Sequence, residues 1–112
     1  MYNEVVFLVS QIDNGNVDEY GDVIKDEIRV QRFARFKSIA QSEFYQAQTA
    51  GFKPEIKVEL ADYLDYDGQE QVIYNEFRYK VLRTYRTVAN SIELTLYGGV
   101  RDASAEVSDE NN

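Results

Sequence analysis

Glu55-Ile-Lys-Val-Glu-Leu-Ala-Asp62 alternates polar and apolar side chains through Leu60. In an extended chain Ile56, Val58 and Leu60 point one way, and Glu55, Lys57 and Glu59 point the other. This is the pattern of a strand with one face on a core, and the same period continues after it. Tyr66-Asp67-Gly68-Gln69 reads as a turn, because Asp-Gly accepts positive φ. Gln71 to Tyr74 is a short strand. Asn75-Glu76 then fits a two-residue hairpin connection, although glutamate suits the second position of the usual type poorly. Phe77 to Tyr85 places Phe77, Tyr79, Val81 and Tyr85 on one face and Arg78, Lys80 and Arg86 on the other. Thr87 to Asn90 turns the chain. Ile92, Leu94 and Leu96 alternate with Glu93, Thr95 and Tyr97, and Gly98-Gly99 ends the pattern. The C-terminal half is therefore an antiparallel meander of four strands.

Working back towards the N-terminus, Gly51 and Pro54 close a different kind of segment. Ser42 to Glu55 carries the one helix signal in the chain. Ser42 suits an N-cap and Glu43 the positive helix end. Ala40, Phe44, Ala47 and Gly51 fall on one face at helical spacing. Gly51 suits a left-handed C-terminal residue, and Pro54 halts the helix. The spacing predicts about two turns, with Phe44 and Ala47 towards the sheet. Earlier still, Glu27 to Ile39 is a long strand with one polar face. Asp13 to Asp26 is acidic and lacks a sustained apolar pattern, so it reads as a mobile loop or a frayed hairpin tip. Asn14-Gly15 is a turn signal inside it. Val5 to Ile12 is apolar on both faces, with Val5, Phe7 and Val9 on one and Val6, Leu8 and Ile12 on the other. Such a strand is covered on both sides or lies in a closed barrel.

These elements predict a mainly β fold: a small antiparallel β-barrel plugged by one short α-helix. One domain spans residues 1–100, with the mobile acidic loop at about 13–26. Residues 101–112 form an acidic tail, expected to be disordered because it buries too little apolar surface to offset its ordering entropy. Phe44, Ile56, Val58, Leu60, Val81, Ile92, Leu94 and Leu96 are the expected core.

The chain has 112 residues, 44% of them hydrophobic, with 20 acidic and 12 basic side chains and a formal charge of −8. That length suits one domain with one modest core. No apolar run is long enough to cross a bilayer, and the N-terminus does not resemble a signal peptide, so the chain reads as soluble and intracellular at synthesis. The net charge opposes tight binding to nucleic acid or to anionic membranes. The charge is also segregated. Asp13 to Glu27 holds six acids and one lysine, Arg29 to Lys37 four bases and no acid, Glu55 to Glu76 seven acids and one lysine, and Phe77 to Arg86 four bases and no acid. Neighbouring strands can use such blocks as cross-strand pairs, as can neighbouring copies.

Cysteine and histidine are both absent. This removes disulfides, thiolate nucleophiles, the usual zinc sites and a Ser-His-Asp triad. Asp62, Asp65 and Asp67 cluster at one turn and Asp18, Glu19 and Asp22 at another, but neither has the spacing of a helix–loop–helix calcium loop. Tyr79, Tyr85, Arg78, Lys80, Arg83 and Arg86 make the best case for stacking a nucleic-acid base, against the negative net charge. Nothing specifies an enzyme, a metal or a cofactor.

Four stretches carry a family resemblance: Ser42-Glu-Phe-Tyr-Gln-Ala47 followed by Gly51, Val72-Ile-Tyr-Asn75, Tyr79-Lys-Val81 and Ile92-Glu-Leu94. From about Phe33 to Leu96 the chain resembles the small head-closure proteins of tailed bacteriophages, also called head–tail adaptors, head-completion or stopper proteins. The resemblance implies a small β-barrel with a short helix and no catalysis. It implies a ring, commonly of twelve copies, beneath the portal and adaptor proteins, holding packaged DNA and offering a surface to the tail. Partners would then be portal or adaptor proteins, tail proteins and further copies of the chain. DNA would pass through the channel without specific binding, and no membrane would be involved. The location would be the neck of the virion, after assembly in the host cytoplasm, for an active phage or a prophage. The segment from Gln41 to Pro54 is the expected interface or gate, with Glu43, Tyr45, Gln46 and Gln48 as contacts and Gly51 and Pro54 as its bounds. The alternatives are a β-barrel module binding nucleic acid or peptide, or another tail-joint protein such as a tail terminator.

Overall fold

The computed structural model describes residues 1–39, 51 and 53–102. The predicted helix lies outside them, apart from Gly51 and the residues from Lys53 on, as does the tail after Asp102. Six antiparallel strands follow one another: β1 (Glu4–Val17), β2 (Val23–Lys37), β3 (Pro54–Leu60), β4 (Gln71–Tyr74), β5 (Phe77–Arg86) and β6 (Ile92–Arg101). Their order around the sheet is β1-β2-β3-β6-β5-β4, and β4 returns to β1, so the sheet closes into a small barrel. Closure removes the unpaired edges that an open sheet presents. The closing seam is short, joining Phe7, Leu8 and Val9 to Ile73, Val72 and Gln71.

Val6, Leu8, Ala34, Val58, Leu60, Val72, Ile92, Leu94 and Leu96 fill the interior, with Ile56, Tyr63, Tyr66, Tyr74, Tyr79 and Val81 packed against them. The expected core is thus correct for β3 and β6, with Ile56 and Val81 at its margin; Phe44 is outside the described residues. Between β3 and β4 a single 3-10 turn, Tyr63–Asp65, lies at one mouth of the barrel, capped by Asp62, whose carboxylate accepts from the Leu64 N–H at 2.9 Å. Tyr63 and Tyr66 pack from this connection against the core.

Three readings need correction, and each turns on a bulge or a turn. First, β6 does not stop at Gly98-Gly99 but continues to Arg101, with its register shifting between Arg78 and Lys80 of β5. Gly98 adopts φ +66°, and Gly99 lies against the Tyr79 ring. The two glycines make a bulge rather than an end. Second, a further register shift between Val81 and Arg83 reverses the parity of β5. Tyr85 therefore pairs with outward-facing Glu93 and is 54% exposed. Arg86, paired with Ile92, turns to the mouth and stacks over Tyr63 at 3.6 Å. Third, of the two readings of Asp13 to Asp26, the loop is wrong and the hairpin tip is right. Asp13–Val17 and Val23–Asp26 are strand residues, and the hairpin turn lies at Asp18–Asp22, where the Asp18 N–H donates to the Asp22 carbonyl at 2.9 Å. Asn14-Gly15 is instead a bulge in β1, where the register shifts between Asp13 and Val17 and Gly15 takes φ +83°. The tail, too, begins later than expected: Arg101 is in β6, and Asp102 is 5% exposed.

Asn75-Glu76 does form the two-residue hairpin connection. Both residues have positive φ, 51° and 70°, so glutamate occupies a position that glycine fills without strain.

Candidate interaction surface

The β1–β2 hairpin outgrows the barrel. β1 pairs with β4 only from Phe7 to Val9, and β2 pairs with β3 only from Ala34 to Lys37. Between these limits and the turn the two strands pair with each other alone, from Ser10 with Ile28 outward to Val17 with Val23. The result is a two-stranded arm. Its side chains alternate as in any strand. The row that begins with Leu8 and Val30 continues along the arm with Ser10 and Ile28, Ile12 and Asp26, and then Ile24. These isoleucines are 40%, 49% and 37% exposed, although they extend the core-facing side.

The opposite face of the arm is polar and tied to the body. Arg78 of β5 donates to Glu27 through Nη1 at 2.7 Å and Nη2 at 3.0 Å, to the Gln71 amide oxygen at 2.6 Å, and to Asp102 at 3.2 Å. Arg29 pairs with Glu27 at 2.7 Å and reaches Asp102 at 3.5 Å. The two arginines thus share two carboxylates. The Arg78 hydrogen bond is the largest influence that lowers the Glu27 pKa, to about 2 from 4.5, and it outweighs the opposing effect of burial. Glu27 comes from the arm and Asp102 from just after β6, so this network latches the arm root to β4, β5 and the residue that follows β6.

A second network crosses the outer face of β2, β3 and β6. Arg35 and Ser91 both donate to buried Glu59, and Lys37 and Lys57 flank Glu93 at 3.8 and 3.4 Å. Burial pushes the Glu59 carboxyl up, but these hydrogen bonds from Ser91 and Arg35 leave it below its ordinary range. The segregated charge blocks therefore serve as cross-strand pairs, as the sequence predicts.

The sequence-based site residues are distributed unevenly. Glu43, Tyr45, Gln46 and Gln48 lie outside the described residues. Gly51 has φ +89°, the left-handed conformation expected of it. Pro54, the other bound of that segment, is buried as the first residue of β3 and paired with Tyr97. The base-stacking constellation does not assemble: Tyr79 is in the core, Tyr85 faces out, Arg78 is held by Glu27 and Asp102, and Arg86 stacks on Tyr63 and bonds Asn90 at 2.9 Å. The acidic turns are occupied by their own backbone and by Arg32. Asp18 accepts from Tyr20 and Asp22 N–H groups, Asp62 from Leu64, and Asp65 faces Arg32 at 3.6 Å. No group of potential metal ligands is present among the described residues. An open cleft of about 330 Å³ lies between Gln11 and Lys25 of the arm and the 67–71 connection, but its lining is mainly polar, unlike a small-molecule pocket. No helix among the described residues is long and apolar enough to cross a membrane.

Sequence reasoning missed the arm and Asp102. The parity of Ile12, Ile24 and Ile28 was a visible signal, masked by the acids between them. No model of a known protein family matches the chain, and no curated protein sequence matches it.

Proposed function

We propose that this chain is a structural protein of the neck of a tailed bacteriophage, which completes the head and joins it to the tail. In this reading copies form a ring, of twelve by the resemblance, beneath the portal and adaptor proteins, retain packaged DNA and offer the tail a surface to dock on. Its site of action is the virion neck, after assembly in the host cytoplasm, and its role is structural rather than catalytic. The observation that carries the reading is the arm: a closed barrel satisfies its own edges, yet extends a two-stranded ribbon on which Ile12, Ile24 and Ile28 stay 37–49% exposed. Contiguous exposed apolar surface on a small domain marks an interaction site. The strand order after Phe33 also suits the resemblance, and the negative charge suits a conduit that DNA must slide through without sticking. The segment from Gln41 to Pro54, with Glu43, Tyr45, Gln46 and Gln48 as contacts, is assigned on the sequence to the channel or the adaptor.

Immunogold labelling of particles made by the encoding phage tests the role. Gold at the head–tail joint is expected, and deletion of the gene should leave filled heads that lose DNA and lack tails. Label on another part of the particle, or intact infectious particles after deletion, would defeat the proposal. A nucleic-acid module is the less favoured reading, because Arg78 and Arg86 are already engaged within the fold.

A further inference from the structure

We infer that Asp102 is a strap: seated against Arg78 and Arg29 it holds the arm root on the barrel, and unseated it frees the arm, so the end of β6 and the β1–β2 hairpin loosen together. This goes beyond the neck reading and does not depend on it. Asp102 is the first residue after β6, yet it is only 5% exposed. Its N–H donates to the Glu76 carbonyl at 2.8 Å, which ties the chain end to the β4–β5 turn. Its Oδ1 accepts from Arg78 through Nη2 at 3.2 Å and Nε at 3.4 Å. Its Oδ2 faces Arg29 at 3.5 Å and accepts no hydrogen bond among the described residues. A buried carboxylate oxygen without a donor is costly, and solvent would satisfy it on release. The seat is therefore poised rather than locked.

The two ion pairs cross between arm and body in opposite senses. Arg78 is a body cation on an arm carboxylate, Glu27, and Asp102 is a body carboxylate facing an arm cation, Arg29. Arg78 is thus fastened on two edges, bidentate to Glu27 on one and to Asp102 on the other. A planar guanidinium held on two edges keeps one orientation, and losing one edge lets it turn. What lies beside the strap adds to its effect. Val9 and Ile73 are 2% and 4% exposed. They nevertheless point to the outside of the barrel, because their neighbours Leu8 and Val72 point into its core. Arg29 and Gln71 stand directly opposite Val9, and Arg78 opposite Ile73. The aliphatic stems of the two arginines supply cover for this outer apolar pair while Asp102 holds their heads. Val9 is also the last residue of β1 that pairs with β4. The strap therefore closes over the point at which the arm leaves the barrel, and a partner that draws the chain end away frees the arm in the same movement.

Amide hydrogen exchange followed by NMR tests the coupling. Asp102→Asn keeps the shape and the backbone bond to Glu76 but removes the charge. Amides of Ser10 to Val17 and Val23 to Ile28 should exchange about tenfold faster, with β3 and the Ile92–Leu96 part of β6 unchanged. Glu27→Gln unfastens the same arginine from the arm side. Because coupling is reciprocal, it should also speed exchange at the Asp102 N–H, whose own bond it does not touch. The double variant should gain less than the product of the two single effects. Arm exchange at the parent rate in Asp102→Asn, equal acceleration throughout β3 and β6, or single effects that multiply would overturn the inference. Should Asp102→Asn not fold, Glu27→Gln decides alone: an Asp102 N–H that exchanges at the parent rate would overturn it.

Discussion

At the scale of single residues, Gly99 and Leu94 show two ways in which β6 depends on its neighbours. A methyl group at Gly99 would run into Cε1 and Cδ1 of the Tyr79 ring, which is held in the core. Gly99→Ala should therefore destabilise the fold by about 1–3 kcal/mol, the usual range for overpacking. Chemical denaturation measures it, and an unchanged midpoint would mean the ring is free to move. Leu94 is fully buried in the centre of the core. Leu94→Ala removes its apolar contacts and leaves a cavity, so a loss of about 2–5 kcal/mol is expected. A thermal melt that stays in place would exclude Leu94 from the cooperative core.

At the scale of elements, the two hairpins differ in what holds them. The β4–β5 turn carries its cost at Glu76, whose φ of 70° is unfavourable for any residue with a Cβ. Its side chain reaches Arg101 at 3.4 Å, with both partners substantially exposed. Such a surface pair contributes little. Glu76→Gly should relieve the turn and raise stability by roughly 1 kcal/mol, while the hydrogen bond from the Asp102 N–H to the carbonyl of residue 76 is retained. A lowered melting temperature would show that the glutamate side chain matters more than its backbone. The arm, by contrast, is held at its root by the Arg78–Glu27 latch. Because the Glu27 pKa falls to about 2 on folding from 4.5, its contribution is complete above pH 4.5 and is lost as the pH falls towards 2. Glu27→Gln should accordingly destabilise the protein at neutral pH and match the parent near pH 2. Melts of both proteins across this range provide the check, and a penalty that persisted at pH 2 would contradict the ionic origin.

For the whole molecule, the decisive quantity is a charge of −8 on a chain whose strongest bases are already paired. Copies of such a chain repel at long range. In the proposed ring a preassembled connector raises local concentration and supplies a second surface. The isolated protein should therefore be monomeric or weakly associating at micromolar concentration, and should pass through heparin at low salt. Light scattering that found a stable large ring without partners, or retention on heparin, would contradict this balance.

Alternation by itself determined the strands and, in β3 and the first half of β6, which side chains reach the core, because a two-residue period allows only two faces. Composition determined a narrower point: without cysteine or histidine the sequence offers no disulfide, thiolate or imidazole. Alternation could not decide the parity of β5 after Val81, where one extra residue in a bulge exchanges the faces of Tyr85 and Arg86. Nor could it tell the Asn14-Gly15 bulge from a turn, because positive φ serves both and only the partner strand's register distinguishes them. Whether Gly98-Gly99 ended β6 or bent it depended on the Tyr79 ring across the sheet. The arm was hidden for a related reason: Ile12, Ile24 and Ile28 carry a strand's parity, but only closure of the barrel at Val9 and Ala34 decided that they lie beyond it. Sequence periodicity records the local backbone, whereas bulges, closure and exposure are settled by contacts between strands far apart in the chain.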